Sequence, residues 1–180
     1  DFNWHVESCT GEHGVFHDVL EWMRCGGMRG ARVAPIKHFV RAPDRKWNKT
    51  TPIDVANRLE AWAAEALRAS APMKNAEDGE LRATVADIRA QALLGRYYAA
   101  KIRGAVDLAL FQKSGDAARK AAAIVHLRSA VERMTAYADH AGRTYRPQIL
   151  ARCGPVDWDA LKTAARRDVV LAETLEGPGE

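Results

Sequence analysis

The chain has 180 residues and a mass of 19.8 kDa, enough for one ordinary domain and short for two. Apolar residues make up 47% and charged residues 28%, which excludes a wholly disordered chain, and no stretch approaches the roughly 20 apolar residues of a membrane span. The net charge of +4 permits nucleic acid as a partner, but the charges are interspersed and not blocked, so dedicated nucleic-acid binding is not expected.

The chain opens on Asp1, not Met, and no basic-then-apolar leader precedes it. We therefore expect a processed, trimmed or partial chain. Residues 1–50 differ from the rest. They hold three of the five tryptophans, four of the six histidines, the Gly26-Gly27 pair, Pro35 and Pro43. Short helices are expected over Phe16–Arg24, where Phe16, Leu20 and Met23 share a face, and from Pro35 to Arg41.

The first strong start signal is Thr51-Pro52-Ile53-Asp54: a cap, a first-turn proline and an acid at the positive end of the helix. Val55, Leu59, Trp62 and Ala66 line its expected inner face, and Pro72 ends it by Ser70. A second helix is expected from Glu80 to about Lys113. Its seam is Leu81, Val85, Ile88, Ala92, Gly95, Ala99, Ile102, Val106 and Ala109, alternating by four and three. Gly95 would let a partner backbone approach, whereas Gly104 weakens the helix. Ser114-Gly115-Asp116 breaks the chain, and Asp116 caps a third helix ending near Ala141 at Gly142. The seam of this third helix is Ala117, Ala121, Ile124, Leu127, Val131, Met134 and Ala138. So short a connection implies antiparallel neighbours. Residues 143–156 read as a loop. Asp157 caps a fourth helix through Trp158, Leu161, Ala165 and Val169 or Val170, fading by Leu175.

The expected fold is mainly α. An antiparallel bundle of about four helices spans 51–175, an irregular Trp- and His-rich connector spans 1–50, and a frayed tail spans 176–180. No repeat of 20–50 residues points to a solenoid.

Templates for catalysis come up empty. None of the four serines sits in G-x-S-x-G, and no P-loop or G-x-G-x-x-G exists. The loop around Gly26, Gly27 and Gly30 carries Arg24, Arg29 and Arg32 and could hold an anion, though a plain surface loop explains it as well. His5, Cys9, His13 and His17 recur every four residues, a spacing that would stack zinc ligands on a helix. Gly11 and Gly14 oppose that helix, so no metal is expected, and nothing implies a cofactor. Cys9, Cys25 and Cys153 are an odd count without C-x-x-C; buried thiols are the plain reading, and a Cys9–Cys25 disulfide is left open.

Arg82, Arg89, Arg96 and Arg103 repeat every seven residues and form one ridge beside the seam. We expect their stems to cover apolar surface, and Arg103 to pair with Asp107. Tyr98 borders the seam and is expected in the core. Seven basic against three acidic residues lie between Asp116 and Arg152, so the third helix is the basic one. The acids of the opening segment include Asp1, Glu7, Glu12, Asp18 and Glu21, but nothing sets the separation that paired-carboxylate glycoside cleavage needs. No catalytic residue is picked out. Trp4 beside His5 is the candidate sugar-contacting pair, since an aromatic face suits a pyranose ring.

Several stretches together resemble one family. Asp1-Phe2-Asn3-Trp4-His5 resembles the end of the last strand of a sugar-hydrolase TIM barrel. Phe16-His17-Asp18-Val19 through Met28, with Pro35-Ile36, is similar to the connector after such a barrel. Thr51-Pro52-Ile53-Asp54-Val55-Ala56 and Leu93-Leu94-Gly95-Arg96-Tyr97-Tyr98-Ala99-Ala100-Lys101-Ile102 resemble the C-terminal helical domain of large bacterial glycoside-hydrolase-like proteins, loosely related to alpha-glucuronidases and often bearing carbohydrate-binding modules. The likeness spans about residues 1–175 and is structural, so it carries no catalytic residue across. It implies a larger, exported parent with a TIM barrel as the partner of this chain, and a carbohydrate ligand. The alternative is a freestanding interaction module that binds an acidic partner or nucleic acid through its third helix.

Overall fold

The start signals in the sequence become caps. The computed structural model describes residues 16–24, 32–73, 75, 77–147, 149–150 and 154–178, and among these the chain is mainly α. Among the described residues the first helices are two short ones, α1 (Val19–Arg24) and α2 (Ile36–Phe39). Four long ones follow: α3 (Pro52–Ser70), α4 (Gly79–Ser114), α5 (Ala117–Thr144) and α6 (Trp158–Thr174). Thr51 and Asp54 form a reciprocal capping box: Asp54 N–H donates to Thr51 Oγ1 at 3.1 Å, and Thr51 N–H donates to Asp54 Oδ2 at 2.9 Å. Asp116 and Asp157 cap α5 and α6. Gly115 closes α4 at φ +73°, a geometry that suits glycine, with its N–H on Phe111 O.

Polar contacts set the helix directions. Between α3 and α4, Asn57 meets Arg103 and Glu60 meets Arg96, each at 3.1 Å. Between α4 and α5, Asp107 meets Arg119 and Ala86 O meets His140, each at 2.9 Å. Between α5 and α6, Lys120 reaches Leu175 O while Asp139 meets Lys162. In each pair the numbers climb on one helix as they fall on the other, so neighbours run antiparallel.

The largest core cluster joins Trp22, Phe39, Ala56, Ile102, Leu108 and Leu127. A second joins Tyr97, Ala100, Met134, Leu161 and Ala165. Residues 32–50 close on themselves: Ala34 N–H donates to Thr50 O and Thr50 N–H to Arg32 O, each at 2.9 Å. Phe39 packs on Trp47, whose Nε1 donates to Ala42 O. Trp22 stacks on Tyr98 with ring centroids 5.6 Å apart. The described parts of the opening segment therefore lie against this chain's own helices.

Several expectations need correction. The inner face of α3 is turned by one residue: Ala56, Ala63 and Ser70 point inward and Trp62 is 60% exposed. Small residues inside let α3 lie close to Gly95, where an added Cβ would meet Leu59 O at 3.8 Å and Ala63 at 3.9 Å. Those are ordinary contacts, so alanine would fit. Gly104 is the glycine that packing requires, because a Cβ there would meet Leu127 Cγ at 2.7 Å. Leu81 and Ile88, expected in the seam of α4, are exposed, whereas Val85 between them is buried. From Tyr97 onward α4 is buried on more than one face, with Lys101, Gly104 and Leu108 enclosed as well as Ala99 and Ile102. It is the central helix, touched by α1, α2, α3 and α5. Ala117 and Ala121 are exposed on α5, where Ala123 and Ala130 take the inner positions. Gly142 does not end α5; it lies beside Trp158, and the helix runs on to Thr144 with Tyr145 N–H bonded to Ala141 O. The expected loop over 143–156 contains a two-residue antiparallel pair, Ile149–Leu150 with Gly154–Pro155.

Candidate functional site

Among the described residues the most enclosed charged group is a lysine. Lys101 lies mid-α4 between Ala100 and Ile102, and its side chain is 1% exposed. Its ammonium donates to Asp168 Oδ2 of α6 at 2.7 Å and to the carbonyl of His17. It lies 3.8 Å from the centroid of Phe16, 5.4 Å from that of Trp22 and 5.8 Å from that of Tyr97. The other carboxylate oxygen of Asp168 accepts the N–H of Val19 at 2.8 Å. One ion pair thus ties α4 and α6 to the first turn of α1. That turn has its own box, with Glu21 N–H on Asp18 and Asp18 N–H on Glu21.

Desolvation pushes Lys101 below the usual lysine range, against the pull of Asp168. Desolvation also raises Asp168, opposed by Lys101 and by the Val19 hydrogen bond. Burial and the nearby Asp168 charge raise Tyr97 well above its ordinary value. A lysine of lowered basicity is a nucleophile only if a substrate can reach it. Here aromatic rings and an acid enclose the amine, so its chemistry is that of a latch.

A second cluster gathers at Glu60 on α3. Its carboxylate accepts from Arg96 at 3.1 Å and from Arg133 of α5, and lies 3.7 Å from Arg103. Arg133 also donates to Arg96 O, and Arg103 to Asn57. Half of the arginine ridge is thereby folded onto one acid. Arg103 does not take Asp107 as expected; Asp107 pairs with Arg119 at 2.9 Å and lies 3.6 Å from His126. Burial lowers His126 further below neutrality, Asp107 opposes that, and Arg103 and Arg133 add to it.

Burial raises the Glu60 carboxyl, but hydrogen bonds and charge from Arg133 and Arg96 outweigh it and hold it below the usual 4.5. The folded value is therefore below the unfolded one. Its stabilisation is fully present above pH 4.5 and is lost as pH falls through the folded value. Glu60→Gln is expected to cost about 1 kcal/mol at neutral pH, since the cluster is partly solvated. The gap between wild type and variant in urea unfolding should close as the pH is taken below the ordinary glutamate range. A gap that persists at low pH would contradict this account.

Four cations of α5 are also spoken for: Arg119 by Asp107, Lys120 by Leu175 O, Arg128 by Glu173 and Arg133 by Glu60. The sugar-contacting candidates Trp4 and His5 lie outside the described residues, as do Cys9, Cys25, Cys153, His13 and the loop of Gly26, Gly27 and Gly30. His17 is described, with Nδ1 3.7 Å from Glu21. No group of three metal-ligating side chains occurs among the described residues.

Reading the sequence for motifs missed Lys101 and Asp168. The available signal was periodic: Leu161, Ala165, Asp168 and Ala172 form one buried stripe, and an acid on that stripe needs a buried partner. No family model, curated protein or solved structure matches this chain.

Proposed function

We propose that this chain is a non-catalytic helical accessory domain, the C-terminal part of a larger protein. One observation carries the reading. Among the described residues the buried charged side chains, Lys101, Asp107 and Asp168, are closed by partners on other helices and do not converge on an open cavity. Ionisable groups used in this way brace a scaffold, and these three are not poised for proton transfer or nucleophilic attack. Four antiparallel helices of 17 to 36 residues, with α1 and α2 packed against the longest of them, make a rigid prop of that kind.

The nature of the parent rests on resemblance alone. The stretches from Asp1 to His5 and from Leu93 to Ile102 suggest a carbohydrate-active enzyme with a TIM barrel ahead of this chain. In that setting Trp4 and His5 would stand at the rim of a sugar site.

Purified chain should not hydrolyse aryl glycosides or uronic-acid oligosaccharides. Turnover that follows the folded protein through a sizing column would overturn the non-catalytic reading. The parent is tested separately, by the gene upstream of Asp1. An in-frame barrel-coding stretch is the expected finding, and a start codon immediately before Asp1 would defeat it.

A further inference from the structure

A cavity of about 380 Å³ lies where α1, the end of α2 and the C-terminal part of α4 meet. Its floor is apolar, made by Met23, Val40 and Ala109. Its rim carries Arg24, Lys37, Arg41 and Lys113, and no acid lines it among the described residues. Lys113 is tied down, since its Nζ donates to Val40 O at 3.1 Å and to Arg41 O at 3.0 Å. The other three cations have no acidic partner among the described residues, and Arg24 and Arg41 are exposed. The contrast with α5 is direct: there Arg119, Arg128 and Arg133 pair with the chain's own acids, and here Arg24, Lys37 and Arg41 do not.

We propose that this groove docks an acidic peptide segment of a partner protein, with one or two apolar side chains seated on Met23, Val40 and Ala109. The size supports a small anchor, since 380 Å³ is near the lower end of the about 300–1,000 Å³ of ligand pockets. The charge supports the flanks. Guanidinium groups at Arg24 and Arg41 can each take a carboxylate through two parallel hydrogen bonds, while Lys37 adds a point charge. An apolar floor ringed by cations rejects a plain hydrophobic peptide, because the rim would be desolvated without partners. The inference goes beyond the accessory-domain reading and holds whether or not the parent acts on carbohydrate.

The probe is a fluorescein-labelled peptide with a central Leu-Phe pair flanked on each side by glutamates. Two controls replace the glutamates with glutamine, or the Leu-Phe pair with Gly-Gly. Fluorescence anisotropy with the full chain should give saturable binding of the first peptide, weakened about tenfold or more in each control. The Arg24→Gln/Arg41→Gln variant should lose about tenfold in affinity. Arg166→Gln/Arg167→Gln, which removes two exposed cations on α6, should change nothing. Equal loss in both variants would reduce the effect to net charge and overturn the proposal. So would no saturable binding of the acidic peptide, or tighter binding of a single-stranded DNA oligonucleotide that Arg24→Gln/Arg41→Gln weakens.

Discussion

Asp168→Asn is expected to lower the unfolding free energy by about 3–5 kcal/mol, a large share of the roughly 5–15 kcal/mol of an ordinary domain. Asparagine keeps an oxygen for the N–H of Val19, so the change isolates the charge. What it leaves is an ammonium with 1% side-chain exposure, facing aromatic rings and one carbonyl. Desolvation of that cation is then uncompensated, whereas in the native protein Asp168 offsets it at 2.7 Å. The loss should be felt first where the latch holds the N-terminal segment. Trp22 emission should therefore change at lower urea than far-UV circular dichroism does. The double variant Lys101→Met/Asp168→Leu should recover much of the stability, because two apolar side chains remove both charges at once. Its remaining deficit is the Val19 N–H, which loses its acceptor at about 1–3 kcal/mol. An Asp168→Asn protein within about 0.5 kcal/mol of wild type would show that the pair is not the latch described here.

The second large effect concerns the crossing of α4 and α5. Leu127 is fully buried, and Leu127→Ala is expected to cost about 2–5 kcal/mol from lost burial and the space left behind. Gly104→Ala should also destabilise, although alanine favours a helix over glycine by about 1 kcal/mol. The added Cβ would meet Leu127 Cγ at 2.7 Å and Cδ2 at 2.8 Å, with Ala123 O at 3.4 Å. Cγ is the branch point of an enclosed side chain, so α5 itself must move, and overpacking of this kind costs about 1–3 kcal/mol. The two changes are coupled in a defined direction. With Leu127 shortened, the Cβ at 104 enters vacated space and the helix gain is kept. The double variant should therefore be more stable than Leu127→Ala alone. Chemical denaturation of all four proteins closes the cycle, and simple additivity would refute the packing argument.

Much of the helical framework was legible because its signals are local. Thr51-Pro52 and Asp54 specify a helix start through bonds made within four residues. The same holds for Asp116, Asp157 and the left-handed Gly115. The four-three alternation along the second long helix correctly placed Val85, Ala92, Ala99, Ile102, Val106 and Ala109 inside. It failed at Trp62, where hydrophobicity was read as burial. The small residues Ala56 and Ala63 face α4 because they permit close approach, which leaves the large indole outside. It failed again at Gly142, since a glycine can serve as a stop or as a place for a ring, and Trp158 occupies that space.

The candidate sites were harder to see. Glu60 collects arginines from α4 and α5, and nothing near Glu60 in the chain announces them. The heptad of arginines was visible as a ridge, but that Arg96 and Arg103 meet at Glu60 depends on where α3 lies. The basic groove joins Arg24, Arg41 and Lys113 from three separate elements.

By itself the amino-acid order determined where the long helices begin and that the chain is mainly α, because caps, proline placement and periodicity act over one or two turns. Tertiary structure alone decided that Lys101 faces Asp168, that Gly104 rather than Gly95 is required, and that Arg24, Lys37 and Arg41 line one groove. Those outcomes depend on which faces meet across the bundle. A helix face carries its charges and its volume in the sequence, but its partner is chosen only when the whole set of faces packs at once.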